Sequence, residues 1–251
     1  MNPTGADLDH VAIATTDIAG MLDALVGDLG GTVFHGGDGD GFRWMQTRLG
    51  DGTTGMTIES LVVWEPARND FLERFIARTG GGAHHITFKV PDLPAMLERC
   101  RDFAVPPVNV SLENPSWREA FLMPHHAQGT VVQLAQTDET WEIAEALTAV
   151  ATDGPWGEPR WWPTPPPAAS PPTTLDAVVL GSPDRAGATR FFTELLDGTV
   201  VAEDATATLL RWPGGGQIRI EDASDRGVVR LDAHGSVART VTVSGVPFVV
   251  A

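Results

Sequence analysis

The sequence predicts an α+β fold of tandem βαβββ modules forming two domains, the second degenerate and truncated. Three observations carry this reading. A β-rich segment followed by a helix-periodic segment occurs near residues 8–28, again near 84–103 and again near 175–196. Each pair is followed by three short β-rich runs. A Pro-rich stretch from Pro155 to Pro172 separates the second occurrence from the third.

Leu8 to Thr15 alternates and is rich in β-formers. Asp17 is placed to cap a helix over 18–28, where Ile18, Met21, Leu22, Leu25 and Val26 recur at helical spacing and Gly30-Gly31 ends the pattern. Strands follow near 32–35, 42–49 and 55–63, separated by the Gly/Asp turns Gly36–Gly41 and Gly50-Asp51-Gly52. A helix from Asp70 to Arg78 runs into Gly80-Gly81-Gly82. The pattern then restarts. A strand runs from His84 to Val90, a helix opens at Pro91-Asp92 and runs to Phe103, and strands follow near 108–110, 119–123 and 130–135. A short helix, Glu139 to Val150, precedes the Pro-rich stretch, whose Trp156, Trp161 and Trp162 suggest that part of it packs on a domain. Beyond it come a strand at 175–180, a helix at 184–196 and strands at 200–202, 206–211 and 217–221. The tail, Gly227 to Ala251, reads as three strands with the helix replaced by a turn. The expected division is therefore 1–150 for the first domain, 151–174 for the linker and 175–251 for the second domain.

Composition bounds the function. The chain has 251 residues, 42% of them hydrophobic and 20% charged, enough to bury a core. Its 17 Lys+Arg against 33 Asp+Glu give a net charge of −16, with Lys89 the only lysine. Nucleic-acid and polybasic membrane binding both need clustered cations and are not expected. No run of about 18 apolar residues suggests a membrane span, and the first residues lack the basic-then-apolar pattern of a secretory leader. The single cysteine, Cys100, excludes an internal disulfide framework and fits a reducing cytoplasm. The partner expected is a small-molecule substrate, with the chain acting as a monomer or homodimer.

Strand alternation assigns faces. Val11 and Ile13 point toward the helix side, and His10, Ala12 and Ala14 away from it. In the restarted strand Ile86, Phe88 and Val90 take the apolar face, while His85 and Thr87 lie with Lys89 on the other. His10 and His85 thus hold equivalent places in two modules. Glu59 and Gln133 sit among apolar neighbours in the last strand of each module, where a carboxylate is costly unless paired or metal-bound. Two histidines, a carboxylate and an amide facing one concavity fit a divalent-metal site for Zn, Co, Ni, Mn or Fe. The spacing alone is non-specific, and each histidine has an ordinary structural reading. Equivalence between modules is what favours the metal.

The segments Leu8-Asp9-His10-Val11-Ala12-Ile13 and Gly82-Ala83-His84-His85-Ile86-Thr87-Phe88-Lys89-Val90 resemble the vicinal oxygen chelate superfamily. That group includes glyoxalase I, methylmalonyl-CoA epimerase, extradiol dioxygenases and bleomycin- or fosfomycin-resistance proteins. Ala120-Phe121-Leu122-Met123-Pro124 and Gly129-Thr130-Val131-Val132-Gln133-Leu134 are similar to its epimerase and glyoxalase-like branch. The resemblance covers roughly residues 8–136. It implies paired βαβββ modules curling into a cup around a metal held by His10, Glu59, His85 and Gln133. Many members carry Glu where Gln133 stands. An amide does not take up a proton near neutral pH, so Glu59 is the strand carboxylate left to act as base. In the third module Ala177 takes the place of His10 and Glu221 is a counterpart of Glu59, so no metal is expected in the C-terminal half.

Three functions follow. The first is a metal-dependent isomerase, epimerase or lyase that stabilises an enolate of a small oxygenated carbonyl substrate. The second is a metal-free small-molecule binding or antibiotic-resistance module, with Phe42, Trp44, Trp64, Trp117 and Phe121 available to an apolar ligand. The third is an Fe(II) dioxygenase using His10, His85 and Glu59, although the superfamily's dioxygenases put their carboxylate where Gln133 stands. Elsewhere the ordinary reading prevails. His84 is expected in the core or at a cap, His125-His126 in a solvated loop and Lys89 as a surface charge. Cys100 is expected to be inert. Gly36–Gly41 lacks the helix start and Lys-Ser/Thr of a phosphate loop, and no serine-hydrolase elbow is present.

Overall fold

A computed structural model of the chain describes residues 4–138, 142–157 and 163–251. Trp161, Trp162 and Glu139, the expected start of the helix before the linker, lie outside them.

The fold is α+β, with two mixed sheets. The first module runs β1 (Asp7–Thr15), α1 (Ile18–Leu22), β2 (Thr32–Asp38), β3 (Phe42–Gly50) and β4 (Gly55–Val63). After α2 (Phe71–Thr79) come β5 (Gly82–Lys89), α3 (Leu93–Asp102), β6 (Val108–Ser111), β7 (Arg118–Leu122) and β8 (Val131–Gln136). Next are α4 (Ile143–Asp153) and the two-residue strand β9 (Trp156–Gly157). The remainder is β10 (Thr174–Ser182), α5 (Arg185–Arg190), β11 (Thr199–Glu203), β12 (Ala207–Arg211), β13 (Gln217–Asp222), β14 (Gly227–His234), β15 (Arg239–Val243) and β16 (Val246–Val250). The nine-stranded sheet has the order β6-β7-β8-β5-β1-β4-β3-β2-β9, and the seven-stranded sheet β11-β12-β13-β10-β14-β16-β15. The tail is three strands, as the sequence predicts, with residues 235–238 joining β14 to β15 where a helix would stand, and β14 lies parallel to β16.

Contacts divide the chain into two compact units. One comprises Met1–His10, His85–Thr140 and Ala177–Val229; the other comprises Val11–His84, Trp141–Asp176 and Arg230–Ala251. The division passes through β1 after His10 and through β5 before His85. The first unit is built around aromatic contacts, with Phe88 5.2 Å from Trp212 between ring centroids and the Trp212 indole N–H donating to the Leu196 carbonyl at 2.6 Å. Arg99 pairs with Asp197 at 3.1 Å in the same unit.

In the second unit the two faces of the β3–β4 ribbon are covered differently. Leu22, Val26, Val33 and Met45 form one cluster with Ile18. On the opposite face Ala12, Ala14, Leu61 and Leu72 pack with Phe42, Trp44, Phe71, Phe75 and Ile76. Thus α2 covers one end of the face on which Glu59 sits. The Pro-rich segment is fastened to this unit. Ala169 and Ser170 donate to the Gly27 carbonyl at 2.9 and 3.2 Å, and Thr173 donates to that of Leu29 at 3.0 Å.

The helix expected over 18–28 is α-helical only to Leu22 and continues as a π-helical segment, Asp23–Asp28. Gly31 N–H bonds the Leu25 carbonyl rather than that of Gly27, leaving the Gly27 oxygen to receive the linker. Helix α5 continues in the same way as a π-helical segment, Phe191–Leu195.

Candidate metal centre

His10 is buried near the start of β1, where a strand directs it to the face opposite Val11. Its Nδ1 lies 2.6 Å from Asp9 Oδ2, and the other Asp9 oxygen takes the Lys89 ammonium at 2.9 Å. Burial pushes the Asp9 carboxyl upward. The hydrogen bond from His10 and the charge of Lys89 outweigh that and hold it well below the usual carboxylate range. Lys89, expected as a surface charge, therefore anchors the residue that orients His10.

The Nε2 of His10 faces the Thr87 hydroxyl at 2.9 Å. Thr87 donates to Gln133 Oε1 at 2.6 Å, across the parallel β5–β8 register that pairs the two residues. Gln133 Nε2 in turn donates to Glu119 Oε2 at 2.7 Å, and the Trp117 indole N–H donates to the same oxygen at 3.0 Å. The amide is thereby oriented, with its nitrogen on the carboxylate and its oxygen on the hydroxyl. Thr87 has one proton and gives it to Gln133, while its oxygen faces His10 Nε2. His10 Nε2 can serve Thr87 or a metal, but not both. The His85 ring lies edge-on to His10, 5.9 Å between centroids, and Phe121 is on its other side at 6.3 Å.

Glu59 lies in β4, paired across strands with Gln46 and one alternation away from Leu61. His10, Glu59 and His85, carried on the hydrogen-bonded strands β1, β4 and β5, each bring a ligating atom within 4.8 Å of the others. Among the described residues this is the one cluster of three His, Cys, Asp or Glu side chains with that spacing. Two imidazoles and one carboxylate suit Zn, Fe, Co, Ni or Mn, and the separations are short enough for one ion to be shared. Gln133 joins this set through Thr87 and His10.

The other candidates fall elsewhere. His84 packs against Phe71 and Phe75 of α2, with ring centroids 5.6 and 4.7 Å away. Burial pushes its pKa down to about 4, against the pull of Glu59, so it is a neutral core imidazole. His125 and His126 pack against each other in the turn before β8, with their rings tilted by 47°. Burial pushes the Cys100 thiol up to about 12, which makes it unreactive. Asp9, Thr87 and Glu119 are the polar residues that sequence reasoning did not assign to the site, and Trp117, expected only as an aromatic for a ligand, bonds Glu119. The signals were the Asp9-His10 dipeptide, the shared face of Thr87 with His85, and a carboxylate two residues from Phe121, the cross-strand partner of Gln133.

A family model described as the glyoxalase/bleomycin resistance protein/dioxygenase superfamily matches residues 9–121. Residues 9–121 thus carry the pattern of that superfamily. Superfamily members commonly bind divalent metals, and they include epimerases, glyoxalases and dioxygenases. A hypothetical protein from Staphylococcus aureus, 13% identical, superposes with a TM-score of 0.65 over 98% of this chain and 99% of its own. Two shorter structures match about half of the chain. A hypothetical protein from Bacillus halodurans is 25% identical over 55% of this chain and 98% of its own, with a TM-score of 0.48. Methylmalonyl-CoA epimerase from Mycobacterium tuberculosis is 22% identical over 55% of this chain and 93% of its own, with a TM-score of 0.48. No curated protein matches the chain. Among the described residues, no helix is long and apolar enough to cross a membrane.

Proposed function

We propose that this chain is a metal-dependent isomerase, epimerase or lyase acting on a small oxygenated carbonyl compound through an enolate. The observation that carries the reading is the convergence of His10, Glu59 and His85 within 4.8 Å. A divalent ion held there supplies Lewis-acid polarisation of two neighbouring substrate oxygens. The chain's own residues do the rest. Asp9 fixes the ring orientation of His10, as carboxylates commonly do for metal-ligating histidines. Gln133 is a neutral orienter or fourth ligand. Glu119 is occupied by two N–H donors, so Glu59 is assigned as the proton acceptor at the substrate α-carbon.

The C-terminal half fits an emptied copy of this arrangement. Strand β10 repeats the burial pattern of β1 position by position, yet Ala177 stands where β1 has His10. Glu221, the counterpart of Glu59, bonds Arg219 at 2.8 Å. A cytoplasmic location is supported by the single buried cysteine. One specific observation favours a metal-free binding module, namely that Thr87 already supplies His10 Nε2 with a partner. The Fe(II) dioxygenase reading shares the same donor set.

The test is hydrogen exchange in D2O under argon, with Co(II)-loaded protein and a panel of α-hydroxycarbonyl compounds. The expected result is deuterium at the α-carbon without oxygen, lost in Glu59→Gln. A strict requirement for oxygen overturns the isomerase reading in favour of the dioxygenase. Binding of the compounds without exchange, and unchanged by metal removal, favours the binding module.

A further inference from the structure

Gln133 is held from β7 as well as from β5. In the β7–β8 register Phe121 pairs with Gln133 and Glu119 with Ala135, so Glu119 stands diagonal to Gln133 on the same face. Opposite a small alanine, the long Glu119 side chain reaches the amide, whose Nε2 donates to Glu119 Oε2 at 2.7 Å. The carboxylate is itself fixed. Trp117, two residues earlier, donates its indole N–H to the same oxygen at 3.0 Å. The turn that carries Trp117 is tied down in its turn. The Trp117 backbone N–H bonds the Asn114 carbonyl and the Asp138 N–H bonds that of Pro115, each at 3.2 Å, while Arg118 grips both oxygens of Asp138 at 2.7 and 3.0 Å. These residues, with Thr87 and His10, lie in one compact unit. An amide fits a site either way round unless its neighbours choose. Turned over, the Gln133 oxygen would meet the Glu119 carboxylate, two acceptors with no proton between them. Glu119 thus decides that the oxygen faces inward, 2.6 Å from the Thr87 hydroxyl, which lies 2.9 Å from His10 Nε2. The negative end of the amide dipole points to the His10 side and the positive end to Glu119.

We propose that Glu119 is a positioning residue of the metal centre. By holding Gln133 Nε2, with Trp117 bracing the carboxylate, it keeps the amide oxygen turned toward His10 and the cation that His10 would hold. The role rests on the metal-dependent reading. A reversed amide would aim N–H donors at a cation and oppose its binding. Glu119 acts through Gln133 and touches neither metal nor substrate, so its part is separate from that of Glu59. What the part needs is an acceptor where Glu119 Oε2 stands, not a negative charge. The amide oxygen of a glutamine there has two lone pairs and can take both N–H groups.

The test is a Co(II) titration of the full-length chain, read by the absorption of the bound ion. Wild type is compared with Glu119→Ala, Glu119→Gln, Gln133→Leu and the double variant Glu119→Ala/Gln133→Leu, each with native circular dichroism. Glu119→Met, similar in length and without an acceptor, replaces Glu119→Ala where that variant does not fold. Glu119→Ala is expected to weaken Co(II) at least about tenfold, the lower end of the range for residues that orient metal ligands, and Glu119→Gln to hold within about threefold. On top of Gln133→Leu, the loss of Glu119 should add less than about twofold, because residues that act through one contact are not additive. In the metal-free chain the Gln133 side-chain NH2 signals in NMR should shift in Glu119→Ala and stay in place in Glu119→Gln. Equal Co(II) affinity in wild type and Glu119→Ala overturns the positioning role and leaves the metal reading standing. So does a full further loss in the double variant. A Glu119→Gln as weak as Glu119→Ala also overturns it, since charge and not orientation would then be the cause. No Co(II) uptake by the wild type removes the metal reading and the role together.

Discussion

Thr87 has a single hydroxyl proton, and where that proton goes sets the direction of the polar chain beneath His10. Because Glu119 takes the nitrogen of Gln133, the amide oxygen faces Thr87 and the hydroxyl is drawn away from His10. Thr87→Val keeps the shape and removes the link, leaving the buried amide oxygen and the His10 nitrogen each without this partner. The expected loss is about 2–6 kcal/mol of stability in urea unfolding of the metal-free chain, at about 1–3 kcal/mol for each of the two deprived buried groups. A loss below about 0.5 kcal/mol would show that this chain of bonds contributes little. Cys100 offers a second residue-scale prediction. With its thiol pushed up to about 12, it should resist iodoacetamide at pH 8 in the folded chain and react at once in denaturant. Strand alternation put His10 and His85 on one face, and their equivalence in two modules, with the family resemblance, singled them out together with Glu59. Asp9 and Glu119 were not legible. Alternation assigns a residue to a face, but it does not say that a carboxylate on an adjacent residue or strand will reach across.

At the scale of elements, helix starts were the most readable features. Asp17, Asp92 and Asp184 each accept a backbone N–H three residues on, the bond expected of an Asp cap. Asp92→Ala should cost about 1 kcal/mol, read as a shift of the unfolding midpoint with an unchanged denaturant slope. An unchanged midpoint would contradict the cap. The π-helical continuations of α1 and α5 were not readable, because apolar residues at 18, 21, 22, 25 and 26 satisfy an α-helix equally well. At α1 the end of the π-helical segment meets residues far along the chain, where Ala169 and Ser170 donate to the Gly27 carbonyl. The Pro-rich segment was legible as a break in regular structure, and its tryptophans as groups needing a surface. That Trp156 would find it by strand pairing beside His35 depends on the β2 edge being open, which composition does not encode.

For the whole molecule, the two sheets follow the tandem organisation expected from the recurring strand–helix–strand pattern, and the metal-ligand set lies on the nine-stranded one. What the pattern could not supply was the way the compact units draw on distant stretches of chain, with residues 85–140 grouped with 177–229, and 11–84 with 230–251. Those groupings come from apolar contacts such as Phe88 with Trp212, which join residues far apart in sequence. The central claim, that His10, Glu59 and His85 share one divalent ion, is tested most directly by metal analysis. The wild-type chain, purified and equilibrated with Zn, Co, Ni, Mn or Fe(II), is compared with His10→Ala, Glu59→Ala and His85→Ala. The account predicts about one ion per chain in the wild type, as one three-ligand set would hold, and loss of the ion in each variant whose circular dichroism remains native. Retention of the ion in all three variants, or no uptake by the wild type, would contradict it.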